Sequence, residues 1–355
     1  MKQKNNETAM KRRRTVRIVV LVLAALILIA LIAGYKLFQT VMKPNVSTPD
    51  RKAFSLYIPT GASYSQVLDS LQAHQLLKDV SGFDWLATKK DLPNHIHPGH
   101  YLLKDGMSNN QLTNMIRGGL QTPVKVTFNN QRDVKMLAGR ISQQIEADSL
   151  SIVTLLSNRD TLSAMGFTAQ TIPALFLPNT YEFYWNTSAA QFVEKMRHEY
   201  DKYWNEDRRA KAKALGLSPV QVSTLASIVD KETNKTDEMA RIAGVYLNRL
   251  RDGWLLQADP TLVFALGDFE LKRVLNQHKE VESPYNTYKY PSLPPGPICI
   301  PSLASLNAVL NPEQHHYYYF CAKEDFSGYH VFAKTLAEHN KNAARYQREL
   351  NKRLK

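Results

Sequence analysis

The stretch from Ile18 to Gly34 is an unbroken apolar run closed by one glycine, and it limits what this chain can become more than any other feature. With Tyr35, Leu37 and Phe38 behind it, the run approaches the roughly 20 residues needed to cross a bilayer core. Lys11, Arg12, Arg13, Arg14 and Arg17 precede it. By the positive-inside rule this cluster stays in the cytoplasm, which puts everything after about residue 39 outside. A cleavable signal peptide has a shorter apolar region, about 7–15 residues, and ends in a small-x-small site. Here Leu31 and Leu28 occupy the −3 positions relative to Ala33 and Ala30, so the residues favour an uncleaved anchor.

The net charge of +13 resembles a nucleic-acid signal until it is located. Residues 1–17 carry +6 and residues 334–355 carry +5, which leaves +2 for everything between. A phosphate-binding surface needs its charge on the folded body, so nucleic acid is not an expected partner. Cys299 and Cys321 are too few for a disulfide framework and have no metal-ligand spacing. One bridge between them and two unpaired thiols both stay open. His315, His316 and His330 have no spacing that argues for zinc.

Beyond the anchor, residues 39–52 with Pro44 and Pro49 read as a linker. Alternation at Phe54, Leu56 and Ile58 predicts a strand, and Ser63 caps a helix carrying Val67, Leu68 and Leu71. A second helix holds Phe83 and Leu86, and Tyr101-Leu102-Leu103 returns as a strand. Strand–helix–helix–strand is a small α+β module. Val124 to Phe128 opens another strand–helix unit, and from about residue 150 helices are expected to dominate until Pro284. Short strands such as Tyr317 to Cys321 follow, and Ala333 to Lys355 reads as a basic surface helix. The fold class is therefore α+β behind a transmembrane helix.

The most informative helix begins at Ser218-Pro219, an N-cap followed by proline in the first turn. Helical spacing puts Val222, Leu225, Ala226, Ile228 and Val229 on one arc and Ser223, Thr224, Ser227, Asp230 and Lys231 on the other. Glu232 joins the apolar arc, between Leu225 and Ile228. A carboxyl against apolar neighbours loses solvation of its charged form, and its pKa rises. That suits a proton donor working near neutral pH on a glycosidic oxygen. The bland alternative is a structural ion pair with Arg241 or Arg249. Asp230, on the polar arc, is expected to be solvated. Thr236 is read as the cap of the next helix. Asp259-Pro260 reads as a cap and first-turn pair, as plausibly structural as catalytic. Asn286, Thr287 and Tyr288, before Leu293-Pro294-Pro295-Gly296-Pro297, form a polar aromatic loop that suits stacking on sugar rings, although aromatic loops more often serve plain surface packing.

From about Leu225 to Asn340 the chain resembles the YceG-like family of endolytic murein transglycosylases. The stretches that carry the likeness are Leu225–Thr233, Arg241–Leu250, Leu256–Thr261, Ser283–Tyr288, Leu293–Ile298, and His330 with Glu338-His339-Asn340. Two departures stand out. Pro173-Ala174 precede Leu177-Pro178-Asn179-Thr180-Tyr181 where the family often has an acidic residue and glycine, and Asp230 replaces the first glutamate of its E-K-E motif. The resemblance implies a cytoplasmic tail at 1–17, an inner-membrane anchor at 18–38, a LysM-like module at 53–120 and a transglycosylase region at 121–355. It implies cleavage of MurNAc–GlcNAc bonds in peptidoglycan glycan strands to 1,6-anhydro-MurNAc ends, with Glu232 as acid and then base. Asn248, Arg249, Gln257, Asp259, Asn286, Thr287, Tyr288 and Glu338 are the implied substrate-binding residues. No metal or organic cofactor is implied, and peptidoglycan synthases are the implied partners. A water-using muramidase and a non-catalytic peptidoglycan-binding adaptor are the competing readings.

Overall fold

The computed structural model describes residues 2–271 and 273–353, with side chains from residue 10 on, residue 11 excepted. The chain divides into two compact units, residues 1–124 with 184–186, and residues 125–183 with 187–355.

The first unit opens with helix α1 (Lys2–Met42), so tail and apolar run form one continuous helix. Its stretch Arg12–Met42 is long and apolar enough to cross a membrane, and none of its apolar window is buried. Strand β1 (Phe54–Ile58), helices α2 (Tyr64–Ala73) and α3 (Val80–Lys89), strand β2 (Gly99–Leu103) and helix α4 (Asn109–Arg117) follow. The two strands pair antiparallel with Leu56 opposite Tyr101 and Ile58 opposite Gly99. The alternation of β1 puts Leu56 and Ile58 inside, where they meet Val67 and Leu71 of α2, Phe83 of α3 and Leu112 and Ile116 of α4. Ser63 and Ser108 each close a reciprocal capping box, with Gln66 and Gln111. The segment read as a linker is packed instead. Val46 is fully buried, and the Asn45 amide bonds the Asp79 backbone at 2.7 and 2.8 Å and the Asn109 side chain at 2.6 Å. A buried asparagine that satisfies a helix start is an anchor point, and the two prolines hid it.

The second unit begins within β3 (Val124–Phe128), at its second residue, and continues with α5 (Val134–Ser142), α6 (Ser149–Ser157), α7 (Arg159–Ala164) and β4 (Asn179–Phe183). Strand β4 pairs with β3 and interrupts the region expected to be helical. Its buried Tyr181 and Phe183 alternate with exposed residues, a pattern too short to stand out among helices. Helices α8 (Ala189–Tyr203), α9 (Glu206–Ala214), α10 (Pro219–Glu232), α11 (Thr236–Arg251), α12 (Asp259–Leu266) and α13 (Leu303–Leu310) come next. The hairpin β5 (Tyr319–Ala322) and β6 (His330–Ala333) and helix α14 (Leu336–Arg353) complete the unit. Ala333 belongs to the hairpin, so the terminal helix starts three residues later than expected.

Helices α10, α11 and α13 pack against one another, and α14 lies on the hairpin. Helix α10 is buried continuously from Val222 to Asp230, polar residues included. Two glycines permit close approaches here. A Cβ on Gly244 of α11 would lie 2.6 Å from the Glu313 carbonyl oxygen, and one on Gly296 would lie 2.1 Å from that of Gln170. The proline loop around Gly296 is thus fixed against the body.

Candidate active site

Glu232 is the last residue of α10, and the helix stops at Thr233, which turns to extended backbone. Its carboxyl faces a cleft of about 450 Å³. Tyr246 and Arg249 of α11, Gln257 and Asp259 before and at the start of α12, Tyr288, and Tyr319 to Ala322 of β5 line it with Glu232. His330, Leu336 and His339 complete the wall.

The Tyr246 hydroxyl donates to Glu232 Oε1 at 2.5 Å. Phe320 packs edge-on to Tyr246 at 5.9 Å and to His330 at 5.3 Å. Loss of water in these surroundings pushes the Glu232 carboxyl up to about 7. The Tyr246 hydrogen bond pulls it down, the Asp259 charge raises it further and Arg249 lowers it. Tyr246, buried beside a carboxylate, is held well above the usual phenol range. Arg249 is not an ion-pair partner of the glutamate. Its guanidinium donates to the carbonyls of Tyr318 at 2.7 Å and Leu256 at 2.6 Å, tying α11 to the start of β5 and to the loop before α12. Burial lowers its pKa. Tyr288 donates to Asp259 at 2.5 Å, and burial with that contact raises the tyrosine. Arg241, the other sequence candidate for an ion pair, holds Glu313 at 2.9 Å.

Glu232, Arg249, Gln257, Asp259 and Tyr288 therefore share one cleft, whereas Asn248, Asn286, Thr287 and Glu338 have their polar atoms engaged by the protein. Asn248 Nδ2 donates to the carbonyls of His315 and Tyr317. Asn286 Nδ2 donates to those of Lys279 and Val281, and Thr287 Oγ1 accepts from the Ala258 amide. Glu338 accepts from the amides of Lys334 and Thr335, a cap on α14 that lowers its pKa. Asp259 does not cap α12; Ala258 holds the cap position and Asp259 sits in the first turn. Likewise Lys235, not Thr236, precedes α11.

Asp230 departs furthest from expectation. It is 8% exposed, accepts from Asn130 Nδ2 at 2.8 Å and Ser302 Oγ at 2.5 Å, and so clamps α10 to its neighbours. Apart from the exposed Lys231, the polar arc faces protein, not solvent. Cys299 and Cys321 are free thiols, not a bridge. Cys299 is buried and donates to the Ser227 carbonyl, while Cys321 pairs across the hairpin with Val331 and lines the cleft. Helical spacing marks Tyr246 only as an inward-facing residue of α11, and it is 1% exposed. Its signal is a hydroxyl on an apolar helix face, which burial obliges to find a partner. His330 has no zinc spacing, yet its Nδ1 lies 3.0 Å from the buried Glu238 carboxylate, which fixes the ring at the cleft wall.

A mixed helical and stranded body that ends a buried helix on one desolvated acid, in an aromatic cleft, defines the class. The chain belongs to the YceG-like family, whose sequence model matches residues 56–345. It is similar to an endolytic murein transglycosylase of Bacillus subtilis, 27% identical over 332 residues covering 89% of this chain and 91% of the relative. A longer endolytic murein transglycosylase of Streptococcus pneumoniae is 24% identical over 359 residues, covering 92% of this chain and 65% of that protein. The crystal structure of a YceG-like protein from Listeria monocytogenes matches with a TM-score of 0.55 and 27% identity, over 82% of this chain and 98% of the other.

Proposed function

We infer that this chain is a peptidoglycan lytic transglycosylase that cuts MurNAc–GlcNAc bonds within glycan strands and leaves 1,6-anhydro-MurNAc ends. The observation that carries the reading is Glu232, a carboxyl raised to about 7 and held by Tyr246 on an aromatic cleft. Protonated, it gives its proton to the GlcNAc oxygen as the bond to MurNAc C1 breaks. Ionised, it takes the proton of the MurNAc C6 hydroxyl as that oxygen closes onto C1. The substrate supplies the nucleophile, so a second carboxylate in that role is dispensable. Arg249 supports the carboxylate form electrostatically and fixes the cleft walls. Gln257, Asp259 and Tyr288 contact the sugars. Asn248, Asn286, Thr287 and Glu338 are positioning residues in this scheme, holding the backbone that presents the others.

The apolar part of α1 serves as a single-pass anchor in the bacterial inner membrane, with the body outside the cytoplasm. The strand–helix–helix–strand module is read as LysM-like and glycan-binding. Peptidoglycan synthases are the partners this placement favours, with nascent strands terminated as they emerge. Product analysis on purified, uncrosslinked strands tests the reading, because the anhydro product is lighter than the hydrolytic one by one water. Release of hydrolytic ends would favour a muramidase, for which Asp259 on the same cleft is the available second carboxyl. Binding without cleavage would favour an adaptor.

A further inference from the structure

The cleft does not end at Glu232. Glu232, Ala322 and His330 also line a second hollow of about 570 Å³, so the acid stands where two hollows meet. Their charges differ. Apart from Glu232, the first is lined by Arg249 and Asp259, which offset one another. The second is lined by Lys231, Lys235 and Lys323, with no acidic residue except Glu232. Lys323 is neutralised by Asp325 at 2.7 Å. Among the described residues, no ion pair involves Lys231 or Lys235; the Lys235 ammonium lies 4.9 Å from the centre of the Tyr329 ring. Lys231 sits in the last turn of α10, where the helix dipole favours a cation anyway. Lys235 stands at the N-cap of α11, where the dipole opposes one and the side chain caps nothing. Asp237 and Glu238 in that first turn are held by Tyr329 and His330, which leaves the Lys235 charge to the hollow it lines.

The substrate class inferred above has a matching asymmetry. Its GlcNAc is neutral, whereas MurNAc bears a lactyl ether whose carboxyl is either free or extended by a peptide with carboxylates of its own. Scission at MurNAc C1 puts these two sugars on opposite sides of the acid. We propose that the Lys231–Lys235 hollow is an anion subsite that receives the carboxylate of the muramyl residue being cut, while the Asp259–Tyr288 hollow receives the neutral GlcNAc. The proposal rests on the transglycosylase reading and fixes the direction in which the strand lies across α10.

The test measures binding on the full-length Glu232→Gln chain, which reads the subsite without cleavage. Three sets of strands are compared: peptide-bearing, bare with free lactyl carboxylates, and bare with those carboxylates converted to neutral amides. Lys231→Gln with Lys235→Gln should weaken binding of carboxylate-bearing strands about tenfold, as expected for losing two screened charge contacts. Binding of neutral strands should not change. Lys231→Arg with Lys235→Arg should restore affinity. Loss confined to peptide-bearing strands assigns the anion to the peptide, loss confined to bare strands assigns it to the free lactyl carboxylate, and loss on both sets means that the hollow accepts either. Unchanged affinity for both anionic sets, or equal weakening on neutral strands, overturns the subsite. If the parent chain with Glu232 releases no anhydro ends from any strand, the reaction assignment fails separately, whatever the lysines do.

Discussion

Helices α2 and α10 start alike and live differently. Each opens on a serine whose hydroxyl accepts from the third amide while a glutamine reaches back, Ser63 with Gln66 and Ser218 with Gln221. In α2 the interior faces are Val67 and Leu71, and Ser65, Gln66 and Asp69 are exposed. In α10 every residue from Val222 to Asp230 is buried. Its hydroxyls are satisfied by protein: Ser223 donates to the Pro219 carbonyl, Thr224 to that of Val220, and Ser227 to that of Thr224 while accepting from the Ile298 amide. A polar stripe on a surface helix is solvated, whereas on a central helix it becomes a set of joints to neighbouring segments. A helix clamped all round holds its last residue in place, and that residue is Glu232.

The largest expected effect is at that residue. Glu232→Gln should reduce cleavage by about 10²–10⁴-fold, the usual worth of a general acid or base, and one group in both roles argues for the upper end. Mass spectrometry of released anhydro ends reads the loss; near-normal release would show the carboxyl to be structural. The same variant has a signature in stability. The carboxyl rises from its ordinary 4.5 to about 7 in the folded state. The stability linked to it is therefore fully present below about pH 4.5 and lost as pH climbs through about 7. Glutamine does not titrate, so the variant should gain on the wild type by pH 8 and match its trend at pH 4. The gain is at most about 3 kcal/mol and smaller where cleft water screens the charge.

Asp230→Ala tests the clamp. It removes a buried carboxylate that two side chains serve, taking away the acceptor of the Asn130 amide and leaving the Ser302 hydroxyl with Ser305 alone. The expected cost is about 2–3 kcal/mol in denaturant unfolding, typical for hydrogen bonds to a charged group. Asp69→Ala on the exposed face of α2 should stay within about 0.5 kcal/mol. Equal costs at the two positions would erase the contrast between the helices. Asp230→Asn should cost less, because it keeps one oxygen for Ser302 and turns its amide hydrogens toward the Asn130 amide alone.

These two aspartates also mark what the sequence makes legible. Ser218-Pro219 announces α10, and helical spacing puts Glu232 among apolar residues, so helix and acid are both readable from the chain. Whether the opposite arc meets water is not, because periodicity describes one helix and burial depends on what surrounds it. Asn130 and Ser302 lie 100 and 72 residues from Asp230, and nothing local marks the pairing. Asn248 and Asn286 show the same limit from the other side: polar residues in recognisable motifs that bind their own backbone. Strand β4 escaped because five residues among helices give too little alternation, and the buried Asn45 because prolines around it read as a linker.

Tyr246→Phe addresses the acid's tuning rather than its presence. The hydroxyl stabilises the carboxylate and lowers its pKa, so removing it should raise the pKa further. Glu232 then stays protonated to higher pH, and the basic limb of the cleavage profile moves upward by about one unit, as loss of one hydrogen bond to the charged form predicts. A basic limb that stays in place, or moves down, would mean that Tyr246 does not set the acidity.

The smallest effect returns to the two capping boxes. Ser63→Ala and Ser218→Ala each remove one acceptor from a helix start, a loss of about 1 kcal/mol. The motifs are alike, so their removal isolates what surrounds them. Helix α2 has solvent along one face, and once the cap is gone its first turn is held mainly through Tyr64, which bonds Asp84 at 2.8 Å. Its leading amides should exchange with water about fivefold faster, the factor that 1 kcal/mol buys in an opening equilibrium. Helix α10 is locked from Val222 onward, so its amides can exchange only through larger openings, and loss of the cap should speed exchange at the first turn alone. Glu232 lies at the far end of the helix, and cleavage by the Ser218→Ala chain should match that by the Ser63→Ala chain. If Ser218→Ala instead loosens amides down to Ile228 or slows cleavage, burial is not what rigidifies α10, and its cap is what keeps the acid in register.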